Sequence, residues 1–415
     1  MRIFKFGGAS IKNAEGVKNL VKALKHEEPE KTVVIVSAMG KMTNAFEDLL
    51  EVLFNDARRV EEKLEFIVDF HLKITQDLFV ENHLIFNEIE QLFNKLKVLL
   101  KNTSSLSYSL AYDQIVCFGE LLSTKIIATY LQEQGLENNW LDIRLIIKTD
   151  TNYREAKVDW VATQENCYSK MNYSNLIVTQ GFISSDNLGN TTTLGREGSD
   201  FTAGILAYCL DAKSVTIWKD VEGVLNADPR VFDNTVLLNQ VSYREAIEMA
   251  FYGASVIHPK TLKPLENKRI PLYVRSFLNL ESTGTKVSKG IDIDPITPCF
   301  IVKKSQILVS ISALDFSFMV EENISHIFKL FHDYQLKVNL TQNSAISFSV
   351  CLEDNFNKFE EFYKELHPNF KIKYNSNVTL YTIRHFDQQS MNEIEEKGIV
   401  LLKQISRETV QFVIK

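Results

Sequence analysis

The sequence predicts an α/β sandwich on a mostly parallel sheet, followed by smaller α+β modules of ferredoxin-like type. Three observations carry this. A complete strand–helix–strand unit fits within the first 37 residues. Strands and helices then keep alternating as far as Arg275. Beyond a Gly- and Pro-containing stretch at Thr283–Cys299 the pattern changes to short β-α-β-β runs.

Residues 2–6 alternate and stop at Gly7 and Gly8, a strand running into a loop. Asn13–Lys25 carries Val17, Leu20, Val21 and Leu24 on one helical face. Thr32–Ser37 is an unbroken apolar, β-branched run, the mark of a strand buried on both faces. From Lys41 to Phe118 there is neither Gly nor Pro, and Leu49, Leu50, Leu53, Leu64, Ile67, Leu92, Leu96 and Leu99 recur at helical spacing. This is a helical insertion, broken near Asn102. Strands follow at Leu141–Ile147, Leu176–Thr179, Ser214–Trp218 and Pro271–Arg275, with helices at Gly119–Gln134, Asp200–Leu210 and Tyr243–Tyr252. Thr283–Cys299 is expected to be a linker. The division is therefore residues 1–290, with the insertion at about 41–118, and 300–415 as two tandem modules, the second shortened.

A net charge of −7 and the lack of any Lys/Arg run argue against a nucleic-acid or membrane-surface partner. The N-terminus lacks the apolar core of a signal peptide, and no apolar run is long enough to span a bilayer. The five cysteines are widely spaced and the eight histidines form no metal-ligand pattern, so reduced thiols, a cytoplasmic location and no resident metal are expected.

Chemistry concentrates in loops that follow strands. There is no P-loop and no dinucleotide fingerprint, so no fused dehydrogenase is expected. Lys5 stands at the carboxyl end of the first strand, two residues before Gly7, where ligands of open α/β sheets bind. It suits phosphate oxygens, or it is a surface lysine beside a tight turn. Thr191–Ala207 places two glycines, Arg196 and Asp200 at one helix start, a natural anion site. Ser199 or Asp200 also serves simply as an N-cap, while Arg196 suits a bidentate clamp on a carboxylate. Asp220 follows a strand at the same sheet edge, and Arg230 lies in a Pro-containing turn.

These motifs coincide in order with those of a known family: Lys5–Ser10, Val36–Met39 with Thr43 and Asn44, Phe118–Glu120, Thr179–Phe182, Thr192–Arg196, Gly198–Asp200, Ile217–Val221, Ala227–Arg230 and Tyr252–Pro259. The chain resembles the aspartate kinases of the amino-acid kinase superfamily, and its tail resembles their paired ACT modules. The resemblance implies a three-layer α/β/α catalytic domain and ATP-dependent phosphorylation of the L-aspartate β-carboxylate to 4-phospho-L-aspartate, with Mg²⁺ carried by ATP. It implies Lys5 and Asp200 as catalytic residues. Thr43, Glu120, Phe182, Arg196 and Ser199 would line the aspartate site, Glu120 receiving the substrate ammonium. Lys5, Gly7, Gly8, Ser37, Lys219, Asp220 and Arg230 would form the nucleotide side. A homodimer through the ACT-like modules is implied as well. The alternatives are another amino-acid kinase of glutamate type, or a non-catalytic regulatory paralogue.

Departures from the family pattern are expected to matter. Glu197 replaces a glycine, Lys219 a threonine, Leu225 a tyrosine and Ser255 a lysine. Lys219 is expected to restore the lost cation, with Glu197 paired to it or to Arg196. In the tail, Val338-Asn339-Leu340 and Ser344-Ala345 lack two carboxylates that would hold a cationic effector, so weak or no feedback by lysine is expected.

Overall fold

The computed structural model describes residues 1–103, 106–171, 176–254, 257–315 and 317–415. They form two compact units. The first comprises Met1–Val224, Leu237–Ile247 and Val256–Asp294; the second comprises Leu225–Val236, Glu248–Ser255 and Pro295–Lys415.

The first unit is built on a nine-stranded sheet. Its order is Ile293–Asp294, Gln240–Ser242, Thr285–Ser288, Leu272–Ser276, Ser214–Lys219, Arg2–Phe6, Thr32–Val36, Leu176–Gln180 and Asn138–Leu141. Arg2–Phe6 lies centrally and pairs in parallel with Thr32–Val36 on one side and Ser214–Lys219 on the other. Thr32–Val36 is buried at every position, as its unbroken apolar run requires. Side chains of Phe6 and Trp218 stack beneath the strand ends, ring centroids 5.9 Å apart. A second, four-stranded sheet, in the order Val158–Asp159, Lys148–Thr149, Ile183–Ser185 and Thr191–Thr193, stands beside the main one.

The helical insertion consists of Met42–Asn55, Val60–Leu78, Ile85–Asn102 and Tyr108–Val116. It leads into the long buried helix Phe118–Glu133. Inside it His71 is fully buried, its Nδ1 2.7 Å from the Ile67 carbonyl, and burial pushes its pKa down to about 4.

Two expectations are corrected. The strand expected over Leu141–Ile147 ends at Leu141, and Ile143–Leu145 is a 3₁₀ turn. Asp142 accepts from the Arg144 N–H, and the Ile143 N–H donates to Gln180 Oε1, so local side-chain acceptors take the donors a ladder would use. The expected linker Thr283–Cys299 is not a linker. Thr285–Ser288 is an interior strand of the main sheet and Ile293–Asp294 closes its edge. The stretch was obscured by its Gly and Pro residues, which flank strands too short to show periodicity.

The second unit is a six-stranded antiparallel sheet in the order Lys337–Asn343, Ser347–Glu353, Cys299–Ala313, Phe370–Arg384, Thr409–Ile414 and Val400–Ile405. Its helices are Glu321–Asp333, Phe359–Leu366 and Gln388–Glu395. Cys299–Ala313 and Phe370–Arg384 are each 15 residues long and pair along their length, with irregularities around Gln306. Each therefore serves two cores. Val309 and Ile311 pack with Phe331, Phe362 and Phe370, while Phe300 and Val302 pack with Ile383, Ile394 and Phe412. The two modules share one sheet and interleave in sequence.

Candidate active site

The carboxyl ends of the central strands open into a cavity of about 810 Å³ within the first unit. Lys5, Gly8, Ser37, Thr43, Glu120, Phe182, Arg196, Ser199 and Asp200 all line it, together with Glu197.

Lys5 lies in the last turn of pleat before the Gly8–Ile11 3₁₀ turn. Its Nζ is 2.7 Å from Asp200 Oδ1, and both side chains are largely buried. Asp200 sits in the first turn of helix Gly198–Cys209, where the helix dipole favours a negative charge. A Cβ at Gly8 would come within 2.6 Å of the Ala38 carbonyl oxygen, so only glycine allows this close approach of the two loops. The Gly40 N–H donates to the Gly8 carbonyl at 2.9 Å and fixes them together.

Glu120 lies on helix Phe118–Glu133 and is 2 % exposed. Its Oε1 accepts from the Ala38 N–H at 3.2 Å, and its Oε2 has no hydrogen-bond partner. Burial pushes its carboxyl up to about 8, partly offset by the bond from Ala38. An orphaned buried carboxyl oxygen facing a cavity is an unfilled acceptor for a cationic or N–H-bearing ligand.

Phe182, with φ of 69°, has its backbone in the left-handed region. Its N–H donates to Thr202 Oγ1 and its carbonyl accepts from the Leu194 N–H, which ties this loop to the Gly195–Ser199 loop. A Cβ at Gly181 would fall 2.5 Å from the Ser199 side chain, so glycine there lets Ser199 into the wall. Glu197, also left-handed at φ of 53°, immediately precedes helix Gly198–Cys209, and its side chain makes no capping hydrogen bond.

The expected pairing of Glu197 with Arg196 or Lys219 is not formed. Among the described residues Glu197 has no ion-pair partner, and its Oε2 is buried without a hydrogen bond. Its charge acts on His258, whose pKa is lowered by burial against the raising effect of the Glu197 carboxylate.

The remaining expected residues lie outside the cavity lining. Gly7 is in contact range of Lys5 Nζ, 3.2 Å from where its Cβ would be. Lys219 ends strand Ser214–Lys219 and Asp220 follows it, at the same sheet edge as Lys5. Arg230 is in the second unit, where it closes a turn on Asp228 at 2.7 Å. Leu225 is in that unit too, and Ser255 lies outside the described residues.

The fold and the cavity have counterparts among known proteins. The amino acid kinase family model matches residues 1–276. Lysine-sensitive aspartokinase 3 of Escherichia coli is 32 % identical over 85 % of this chain and 78 % of its own length. The chain belongs to the aspartokinases. Among solved structures, E. coli aspartokinase III in complex with lysine and aspartate, the T-state, superposes with a TM-score of 0.85. It is 27 % identical and covers 100 % of this chain and 96 % of that one. The same aspartokinase in complex with aspartate and ADP, the R-state, gives a TM-score of 0.81 at 26 % identity over the same shares.

Sequence reasoning about this aspartokinase missed one wall of the cavity: Glu47, Tyr112 and the Asn152–Glu155 loop. Glu47 stands one helical turn after Thr43, which was a readable signal. Tyr112 donates to Glu47 Oε1 at 2.6 Å across two helices of the insertion. Burial and the Glu47 carboxylate raise the Tyr112 phenol well above its usual range. The loop carries no motif, and only the side sheet brings it to the cavity.

Proposed function

We infer that the protein is an aspartate kinase, transferring the γ-phosphoryl group of ATP to the β-carboxylate of L-aspartate. The observation that carries this is the Lys5–Asp200 pair lining one cavity with the orphaned carboxyl of Glu120 and with Arg196. The pair suits a phosphoryl group, and Glu120 with Arg196 suits an amino acid.

A substrate carboxylate with a pKa near ~4 is ionised at neutral pH, so attack on the γ-phosphorus needs no general base. The new bond joins a β-carboxylate oxygen to phosphorus, the β,γ-bridging bond breaks, and ADP leaves with its electron pair. Lys5 neutralises charge on the transferring group, and Asp200 holds the ammonium in place. Glu120, protonated in the empty site, releases its proton to solvent as the substrate ammonium binds, and the carboxylate then accepts from that ammonium. Arg196 holds a carboxylate, with Thr43, Phe182 and Ser199 shaping the site. Gly7, Gly8, Ser37, Lys219 and Asp220 form the edge on which we place the nucleotide. Among the described residues no three carboxylate, His or Cys side chains group to cage a metal. A Mg²⁺ carried on the nucleotide phosphates, which keeps much of its water, suits such a site.

The test is ATP-dependent formation of aspartyl hydroxamate in the presence of hydroxylamine. Turnover with aspartate is expected. No product with aspartate, or turnover with glutamate instead, would overturn the assignment. In the same assay we propose weak or no inhibition by lysine. Asn339, where a carboxylate was looked for, is already engaged: its Oδ1 accepts from Lys303 Nζ at 2.7 Å and its Nδ2 donates to Gln306 at 2.6 Å. Inhibition by sub-millimolar lysine would refute this.

We also propose a homodimer through the second unit, where Phe318, Phe328 and Ile346 are exposed; a monomer mass in sedimentation would exclude it. A cytoplasmic location suits the substrates and the five free thiols, and recovery in the cytoplasmic fraction is expected.

A further inference from the structure

The cavity holds a charge imbalance that the mechanism above does not use. Five carboxyl groups line it, Glu47, Glu120, Glu155, Glu197 and Asp200, of which Glu120 is the one that burial favours as neutral. Lys5 is paired with Asp200, and Glu155 is drawn outward to Lys260 at 3.0 Å. Among the described residues, the two guanidiniums of the lining, Arg154 and Arg196, have no carboxylate partner. Arg154 instead lies over the Tyr112 ring, 4.6 Å from its centroid, with Tyr108 at 5.7 Å. That is a weak, displaceable seat for a cation at an exposed position.

The backbone of Arg154 shows that this placement is imposed. Its φ is 73°, a conformation that an L-residue with a long side chain adopts only when its surroundings hold it. The holder is Asp113, fully buried on helix Tyr108–Val116. Its Oδ2 accepts the Arg154 N–H at 3.0 Å. The same carboxylate accepts the Thr193 N–H at 3.0 Å and the Thr193 Oγ1 hydroxyl at 2.7 Å. Thr193 lies three residues before Arg196, and its carbonyl accepts the Ala156 N–H at 3.0 Å. One buried side chain therefore fixes both loops that carry the unpaired guanidiniums.

We propose that Arg154 is a second substrate-binding arginine of the aspartate site, and that Asp113 is the positioning residue that holds the loops of Arg154 and Arg196 on one cavity. This rests on the aspartate kinase reading. L-aspartate brings two carboxylates and one ammonium; Arg196 takes one carboxylate, Glu120 the ammonium, and Arg154 the other carboxylate. The carboxylate that attacks phosphorus loses its charge as it becomes an acyl phosphate. That loss comes late: the transition state is loose, with little bonding to the attacking oxygen, so the carboxylate keeps most of its charge and its bond to Arg154 there. Arg154 serves affinity and selection of a dicarboxylate and leaves the chemical step largely alone.

The experiment compares wild type with Arg154→Gln, Arg154→Lys, Arg154→Gly and Asp113→Asn. It reads steady-state hydroxamate formation and direct aspartate binding by calorimetry. Loss of one charge-assisted pair is expected to raise the aspartate KM and Kd roughly tenfold in R154Q. The KM for ATP is expected to stay put and kcat to remain within about twofold, since the pair holds the ground state and the transition state about equally. R154K is expected to recover part of the affinity. R154G suits the left-handed backbone, so its thermal midpoint should match or exceed wild type while its KM rises as in R154Q. D113N is expected to raise the aspartate KM in the same direction, which a purely structural role with unchanged KM in the folded fraction would not do. An unchanged aspartate KM in both R154Q and R154G overturns the proposal. A wild type that neither binds nor phosphorylates aspartate overturns the underlying assignment instead.

Discussion

The cavity wall of the first unit and the core beneath helix Glu321–Asp333 in the second unit are built on opposite terms. The wall buries Asp113, Glu120, Thr193, Ser199 and Asp200, and holds Arg154, Phe182 and Glu197 in left-handed backbone. The core is Val309, Ile311, Phe331, Phe348, Phe362 and Phe370, aliphatic and aromatic side chains packed on one another. Burying polar groups costs free energy unless each finds a partner, and left-handed non-glycine residues cost more. The wall therefore carries orphaned polar atoms that the core cluster lacks. The lesson is that one region is arranged for a ligand and the other for stability.

The contrast can be broken at its stable end first. Phe362 is fully buried and packs on Phe331, ring centroids 5.0 Å apart. Phe362→Ala is expected to cost about 3–5 kcal/mol of stability, read by urea unfolding. Activity per folded molecule should be unchanged at low denaturant. An equal loss of activity would show that the two regions are not separable.

At the other end, Lys5→Ala is expected to lower kcat by roughly 10²–10³, about 2.7–4 kcal/mol of transition-state stabilisation. The comparison is with wild type in the hydroxamate assay. A wild-type kcat would remove Lys5 from the chemistry.

The smallest effect is a gain. The folded-state pKa of Glu120 is raised, to about 8, above its ordinary value near 4.5. Between those values the native protein binds the proton and the unfolded chain does not. Its contribution to stability is therefore lost progressively as pH rises from about 4.5 to 8. Glu120→Gln removes that loss. Its thermal midpoint is expected to exceed that of wild type at pH 8 and to converge with it near pH 5, while aspartate binding fails. A midpoint difference independent of pH would mean that Glu120 does not titrate in this window.

How far the site could be read in advance differs from residue to residue. Lys5, Glu120, Arg196 and Asp200 stand next to strand ends or helix starts, where local chemistry marks them. Asp113 and Arg154 carry no such mark. They are 41 residues apart, and their partnership exists only because the side sheet folds back on helix Tyr108–Val116. The expected Glu197 pairing is absent as well, and Glu197 takes a left-handed backbone that the neighbouring letters do not specify. Likewise Thr285–Ser288, four residues among glycines, becomes a strand only because Gln240–Ser242 and Leu272–Ser276 present it with two ladders.

The sequence by itself determined the class of fold, the strand–helix alternation, the helical insertion and the loops that carry the chemistry. Hydrophobic periodicity and glycine placement act over a few residues, and so they are visible in the string. Tertiary structure alone decided the interleaving of the two small modules, the strands at the edge of the main sheet, and the place of Arg154 in the cavity lining. Those depend on which elements pair across long stretches of chain, where the free energy comes from shared burial and no single segment encodes it.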